Sequence, residues 1–238
     1  MLWGFGSEGQ DVLRFLKKRG LDNKVCIYND KETNIPEDFK SYPAYSGDAL
    51  ENLLTNTDVI IKSPGVSKYK DEIISAQKQG IKVTSSTDLV LSEIRHKYPK
   101  RKIIAVSGSK GKSTSVSALY HIMTKQGYKV ALGGNIGRPL IDLIDDEFDY
   151  LIAEISSYQA SDLSVSPHIA MFTNLYYVHS VWHLSHENYC RDKLHLIAHQ
   201  EQGDVSFVNA RNPELMKYAA EIKGKDIRYY DTLGGFHA

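Results

Sequence analysis

"AVSGSKGKSTSVSALYHIM", residues 105–123, places a loop of glycines and lysines between an apolar run and a segment with helical spacing. The run that leads into it, "KIIAVS" at 102–107, reads as a strand, and "STSVSALYHIMTKQG" at 113–127 reads as a helix that stops at a glycine. In "GSKGKST" each residue type has a physical task. Gly108 and Gly111, with Ser109 and Lys110 between them, let backbone amides curl around phosphate oxygens, and Lys112 neutralises the β and γ phosphates. Ser113, followed by Thr114, can reach a magnesium ion from the helix N-terminus. A nucleoside triphosphate is the natural ligand. The spacing is shorter than in the common phosphate loop, with two residues rather than about four between the glycines, and position 106 is valine. The alternative is an ordinary strand-to-helix turn.

Outward from this loop the same alternation continues. "KVCIY" (24–28), "DVIIKS" (58–63), "IKVTS" (81–85), "YKVAL" (128–132), "YLIAEI" (150–155), "HIAMFTN" (168–174) and "DVSFV" (204–208) are short apolar runs separated by helix-like segments such as "GQDVLRFLKKRG". Strands alternating with helices predict an α/β fold with parallel sheets. At 238 residues two domains are expected, and "RHKYPKRK" at 95–102, with five Lys or Arg and one proline, suggests a boundary at 97–101, giving domains 1–97 and 101–238. A charged surface loop is the other reading of that stretch. Near the start, "WGFGSEG" carries G-x-G-x-x-G at Gly4, Gly6 and Gly9, with Asp30 placed to meet a ribose, which taken alone is a dinucleotide fingerprint.

Composition narrows the function classes. Twenty-nine basic and 29 acidic side chains leave no net field toward nucleic acid or an anionic membrane. The two cysteines, Cys26 and Cys190, show no C-x-x-C spacing and read as bystanders in a reducing compartment. No apolar run approaches the ~18 residues of a membrane span and the start lacks a signal-peptide pattern, so a cytoplasmic monomer without membrane or nucleic-acid partners is expected.

Further candidates follow the loop. Glu154 ends "YLIAE" and is expected at the C-terminal edge of a parallel sheet, as a magnesium ligand or as a solvated strand-end glutamate. "TNLYYVHSVWHLSHENYCRDKLHLI" (173–197) holds His179, His183 and His186 before a helix expected from about Glu187. Three such histidines raise zinc, yet no H-x-x-x-H pair on a helix and no cysteine partner supports it there, so His183 and His186 read as surface polar residues.

Taken together, "SPGVS" (63–67), "GSKGKST" (108–114), "GGNIGRPL" (133–140), "AEISSYQ" (153–159) and "HENYCRDKLHLI" (186–197) resemble the Mur ligases, in that family's order and over nearly the whole chain. "GGNIG" with "ISSYQ" resembles the branch that joins D-glutamate to UDP-N-acetylmuramoyl-L-alanine. The resemblance implies a Rossmann-like domain for the UDP substrate, with Gly6, Ser7, Asp30, Ser63, Pro64 and Gly65 as its contacts, followed by a phosphate-loop domain for ATP. It implies magnesium held by Ser113 and Glu154, and a second magnesium held by His179. Lys193, otherwise a solvated helix lysine, matches the family's carbamylated, metal-ligating lysine. Asn135, Ser156 and Gln159 would contact the muramoyl-alanyl group. Catalysis, with Lys112, His179 and Lys193, would be mainly positioning and charge neutralisation of an acyl phosphate. NAD is the rival of UDP for "GFGSEG". Two departures stand out. The family pattern D-H-x-D reads V-H-S-V here, with Val178 and Val181, and no candidate for the family's third domain is visible, so the chain alone is expected to be inactive. The alternatives are another Mur-type amide ligase and a non-catalytic UDP-sugar or nucleotide-binding module.

Overall fold

The computed structural model describes residues 1–176 and 180–232. The chain forms two compact units, Met1–Leu89 and Val90–Ala238. In the first, β1 (Leu2–Trp3), α1 (Ser7–Lys18), β2 (Ile27–Asn29), β3 (Ala44–Ser46), α2 (Leu50–Leu54), β4 (Val59–Lys62), α3 (Asp71–Lys78) and β5 (Lys82–Ser85) build an all-parallel sheet in the order β3-β2-β1-β4-β5. Trp3, Tyr28, Ile60, Ile73 and Ala76 form its core. From β1 the chain moves outward to β2 and β3, then crosses back to β4, so the crevice where strand order reverses opens at the end of β1.

Helix α4 (Ser86–Lys97) contains the division between the units. The basic cluster that suggests a boundary at 97–101 begins as the last turn of this helix, where Arg95, His96 and Lys97 complement the negative end of the helix dipole. Arg95 pairs with Asp204 at 3.0 Å, and Arg101 donates to the Ile144 and Asp146 carbonyls. These side chains serve folded structure, not a solvated linker.

The second unit comprises β6 (Lys102–Ser107), α5 (Lys112–Lys125), β7 (Val130–Gly134), β8 (Tyr150–Glu154), α6 (Ser157–Ala160), β9 (Ile169–Phe172), α7 (Ser180–His183), α8 (His186–Leu194), β10 (Val205–Asn209), α9 (Pro213–Ala219) and β11 (Ile227–Tyr230). Its sheet is also all parallel, in the order β11-β10-β9-β6-β8-β7. Strand β6 lies between β8 and β9 and is buried after its first residue, which is why "KIIAVS" is continuously apolar. Connections leave β6 toward β7 on one side and reach β9 on the other, so the second strand-order reversal sits at the phosphate-type loop.

Candidate functional site

The site in the second unit is assembled by register. Val106 lies beside Glu154 in the β6–β8 ladder, so the loop after β6 and the Glu154 carboxylate emerge at one sheet edge. Gly111 takes φ +83° and starts α5, whose first turn therefore faces that edge. Ser113 Oγ donates to Glu154 Oε2 at 2.8 Å, bringing the two expected magnesium ligands into direct contact. Lys112 Nζ curls back over the loop toward the Ser109 carbonyl, at 3.5 Å. Asn135, exposed at the end of β7, is tied in by its backbone N–H, which donates to the Glu154 carbonyl at 3.1 Å.

Lys193 reaches the same place from α8. Its Nζ donates to the Gly108 carbonyl at 3.1 Å, and the residue is 2% exposed, not solvated. Burial, followed by the nearby positive charge of Lys112, lowers its pKa to about 7, while Glu154 acts in the opposite sense. A buried lysine amine that is largely neutral near pH 7 to 8 is a nucleophile.

Thr173, Asn174 and Tyr189 are the residues that sequence reading misses. Thr173 Oγ1 and Asn174 Nδ2 both donate to the Lys110 carbonyl, at 2.6 and 3.0 Å. In return the Lys110 N–H donates to Asn174 Oδ1 at 2.9 Å, and the Ser109 hydroxyl meets the Tyr189 hydroxyl at 2.6 Å. The loop is thus clamped by the end of β9 and by α8. Ser156 and Gln159 close a capping box on α6, each satisfying the other's backbone N–H. Their predicted substrate contacts would have to be made from that cap.

His179 and Val178 lie outside the described residues; Val181, on α7, is 92% exposed. His183 is not the surface residue that its sequence context suggests. It is fully buried, with Nδ1 against Asp192 Oδ2 at 2.6 Å and Nε2 against Ser157 Oγ at 3.0 Å. Ser157 and Asp192 are each 3% exposed, so this Ser–His–Asp chain is closed to substrate and ties α6, α7 and α8 together.

In the first unit, Gly4 takes φ +88° and a Cβ there would lie 2.6 Å from Ser63 Oγ, the hydroxyl that donates to the Gly4 carbonyl. A Cβ on Gly9 would meet the same carbonyl at 2.6 Å, so the third fingerprint glycine serves close helix-to-strand packing, while the first lets the end of β1 lie against the segment after β4. Gly6 caps α1 and Ser7 begins it. Pro64 and Gly65 form the turn after β4, closed by Val66 N–H donating to the Ser63 carbonyl at 3.0 Å. Asp30 accepts from Trp3 Nε1 at 2.9 Å, pairs with Lys70 at 3.0 Å, and lines an open cleft of about 1090 Å³ together with Tyr28, Asp48 and Ser75. Among the described residues no helix is long and apolar enough to cross a membrane.

Comparison with known proteins agrees with this geometry. The family "Mur ligase middle domain" matches residues 106–234, and "Mur ligase MurD-like, N-terminal domain" matches residues 1–85. A UDP-N-acetylmuramoyl-L-alanine--L-glutamate ligase of Xanthomonas campestris pv. campestris (strain 8004) is 31% identical over 99% of this chain and 52% of its own length. A UDP-N-acetylmuramoylalanine--D-glutamate ligase of Thermosipho africanus (strain TCF52B) is 32% identical over 97% of this chain and 55% of its own. The chain therefore spans about half the length of the curated relatives it matches. Among solved structures, the UDP-N-acetylmuramate:L-alanyl-gamma-D-glutamyl-meso-diaminopimelate ligase from Neisseria meningitides superimposes with a TM-score of 0.58 at 14% identity, covering 98% of this chain and 78% of that one. A MurF ligase from Thermotoga maritima in complex with ADP gives 0.50 at 14% identity, covering 99% and 48%. With the middle-domain match alone covering more than half of its residues, the chain belongs to the Mur ligase family.

Proposed function

We propose that this chain is the substrate-presenting and ATP-binding portion of an ATP-dependent ligase that adds glutamate to UDP-N-acetylmuramoyl-L-alanine in peptidoglycan precursor synthesis. The observation that carries the proposal is the convergence of Ser113, Glu154, Lys112 and Lys193 at one end of β6. ATP would lie on the 108–114 loop, with Lys112 released from the Ser109 carbonyl to neutralise phosphate oxygens. A hydroxyl and a carboxylate form an all-oxygen donor pair that suits magnesium, so Ser113 and Glu154 fit the ion; it supplies charge neutralisation to the phosphates when bound. The 1–97 region would hold the UDP group beside Asp30 and the 63–65 turn, and 101–238 would hold ATP. D-glutamate is the amine acceptor implied by the motifs; the Xanthomonas relative, named for L-glutamate, favours the L isomer as a second reading. Amide formation is assigned to the full-length protein, and these residues alone should bind without turnover.

Calorimetric titration with UDP-N-acetylmuramoyl-L-alanine, UMP and NAD tests the first unit. Binding that weakens from the first to the second and vanishes for NAD is expected. NAD binding in their place would return "GFGSEG" to its dinucleotide reading. Amide formation by the full-length protein, assayed with each glutamate isomer, decides the acceptor.

Lys193 gives a pH prediction. Its folded pKa lies below the unfolded value near 10.4, so between about pH 7 and 10 the unfolded chain binds more protons and stability rises with pH. Burial pushes the Cys190 thiol up to about 12, so from about pH 8.5 the unfolded chain loses a proton that the folded one keeps, which offsets the Lys193 slope. The clean window is pH 7 to 8.5. There, in carbon dioxide-free buffer, urea stability of the parent should rise about 1 to 2 kcal/mol more than that of Lys193→Met. Parallel pH curves would mean that the amine is charged and unfit for the carbamylation proposed for it. Adding ¹³C-bicarbonate should give a carbamate resonance in the parent that Lys193→Met lacks.

A further inference from the structure

We propose that His186, Cys190 and Glu214 form a binding site for a divalent transition ion of zinc's class, separate from the oxygen-donor pair at Ser113 and Glu154. His186 and Cys190 stand four residues apart on α8 and so share a face, and Glu214, in the first turn of α9, meets them there. The three donor atoms lie within 4.8 Å of one another. Cys190 Sγ is 3.6 Å from His186 Nε2 and 3.7 Å from Glu214 Oε2, while His186 Nε2 and Glu214 Oε2 are directly hydrogen-bonded.

These lengths match a tetrahedral ion. With bonds of about 2.0 to 2.1 Å to nitrogen and oxygen and about 2.3 Å to sulfur, tetrahedral angles put sulfur about 3.6 Å from each of the other donors. Both sulfur edges are already at that length. Only the His186–Glu214 contact must open, to about 3.3 Å. The Glu214 side chain, 40% exposed, has room to make that change. Cys190 is fully buried and the His186 side chain is 20% exposed, so the fourth position faces solvent and would take water. Binding releases the thiol proton to solvent and moves the imidazole proton from Nε2, where it bonds Glu214, to Nδ1, so that Nε2 offers its lone pair to the ion. Thiolate plus imidazole selects zinc or cobalt over magnesium, which prefers oxygen ligands throughout. The sequence argues against zinc on two grounds, no H-x-x-x-H pair on a helix and no cysteine partner; with α8 beginning at His186, Cys190 becomes that partner, and the carboxylate comes from an element that no local spacing links to α8. A bound ion would pin α8 to α9 one helical turn before Lys193.

Cobalt(II) titration of the chain in a Cys26→Ser background tests the site. One equivalent should produce a thiolate-to-cobalt charge-transfer band and intense visible bands of a four-coordinate ion, removed by zinc and unaffected by a large excess of magnesium. Cys190→Ser should lose the charge-transfer band. Glu214→Gln, a change on a partly exposed side chain that spares folding, should raise the half-saturating cobalt concentration by at least the roughly tenfold that even an outer-shell partner is worth. Absence of the band in the parent, its survival in Cys190→Ser, an unchanged midpoint in Glu214→Gln, or displacement by magnesium would each overturn the proposal. If Cys190→Ser does not fold, the Glu214→Gln midpoint decides.

Discussion

Gly108→Ala is expected to abolish nucleotide binding by the second unit and to lower its stability by about 3 kcal/mol or more. Two causes add. Gly108 takes φ +146°, a region essentially closed to residues with a Cβ, and a Cβ built there would lie 1.9 Å from Thr173 Oγ1. Thr173 cannot simply turn away, because its hydroxyl donates to the Lys110 carbonyl and its own carbonyl accepts from Asn209 Nδ2 at 3.1 Å. Relief of the clash therefore opens the clamp that shapes the loop. Gly108 also offers the carbonyl that receives Lys193 Nζ, so the damage reaches α8. Gly111→Ala is the control. It shares a positive φ, +83°, but a Cβ there meets nothing closer than 4.0 Å, so only the left-handed backbone term of about 1 to 2 kcal/mol applies. Urea unfolding followed by circular dichroism, with titration of a non-hydrolysable ATP analogue, checks both. Equal midpoints for the two variants would show that Thr173 is not a rigid wall of the loop.

The contrast between these glycines marks where sequence stops being informative. That both are glycine, ahead of Lys112 and Ser113, is visible in the motif; that one faces Thr173 depends on which strand lies beside β6, and local pattern does not carry strand order. Central strands were legible because both of their faces are buried and they read as apolar runs, as in β6 and β8. The strands that escape this pattern are β1, only two residues long, and two of the four sheet-edge strands, β3 and β11, where "AYS" is short and mostly exposed and "IRYY" is broken by an exposed arginine; of the other edge strands, β5 lies within the apolar run "IKVTS" and β7 begins within "YKVAL". The same division holds in the site. Ser113 and Glu154 were legible because each sits at a fixed place in its own motif, after the loop and at the strand end, and parallel register does the rest. Lys193 could be assigned only through resemblance, since its helix has no apolar periodicity that foretells burial under Gly108. The burial of His183 was illegible for a related reason: its two partners lie on other segments, Ser157 and Asp192, and neither neighbour in sequence announces them.

That last network carries the other large expected effect. Asp192→Ala should cost about 2 to 5 kcal/mol, because it strands the buried His183 ring without the carboxylate that holds Nδ1. Asp192 and Lys193 are consecutive on α8 and are buried against different neighbours, Asp192 against His183 and Lys193 against the phosphate-type loop. Loosening the first contact should therefore free the second. Exposure to water removes the burial that lowers the Lys193 pKa, so its amine should move back toward the ordinary lysine value and become less reactive near pH 7 to 8. Replacing both partners, Asp192→Leu with His183→Leu, removes the polar atoms that need each other and should be milder than the sum of the single changes. Urea midpoints for Asp192→Ala give the cost, those for Asp192→Leu, His183→Leu and the double variant give the coupling, and rates of lysine modification across pH report the Lys193 amine directly. A network that merely fills space would give additive midpoints and leave the lysine modification profile where it was. One that positions α8 would give strong coupling and a profile shifted to higher pH. With Ser157 and His183 closed to solvent, a serine-directed fluorophosphonate should leave the chain unlabelled. Labelling at Ser157 would mean that α7 opens, and the network would then have to be reconsidered as a reactive site in place of a brace for Lys193.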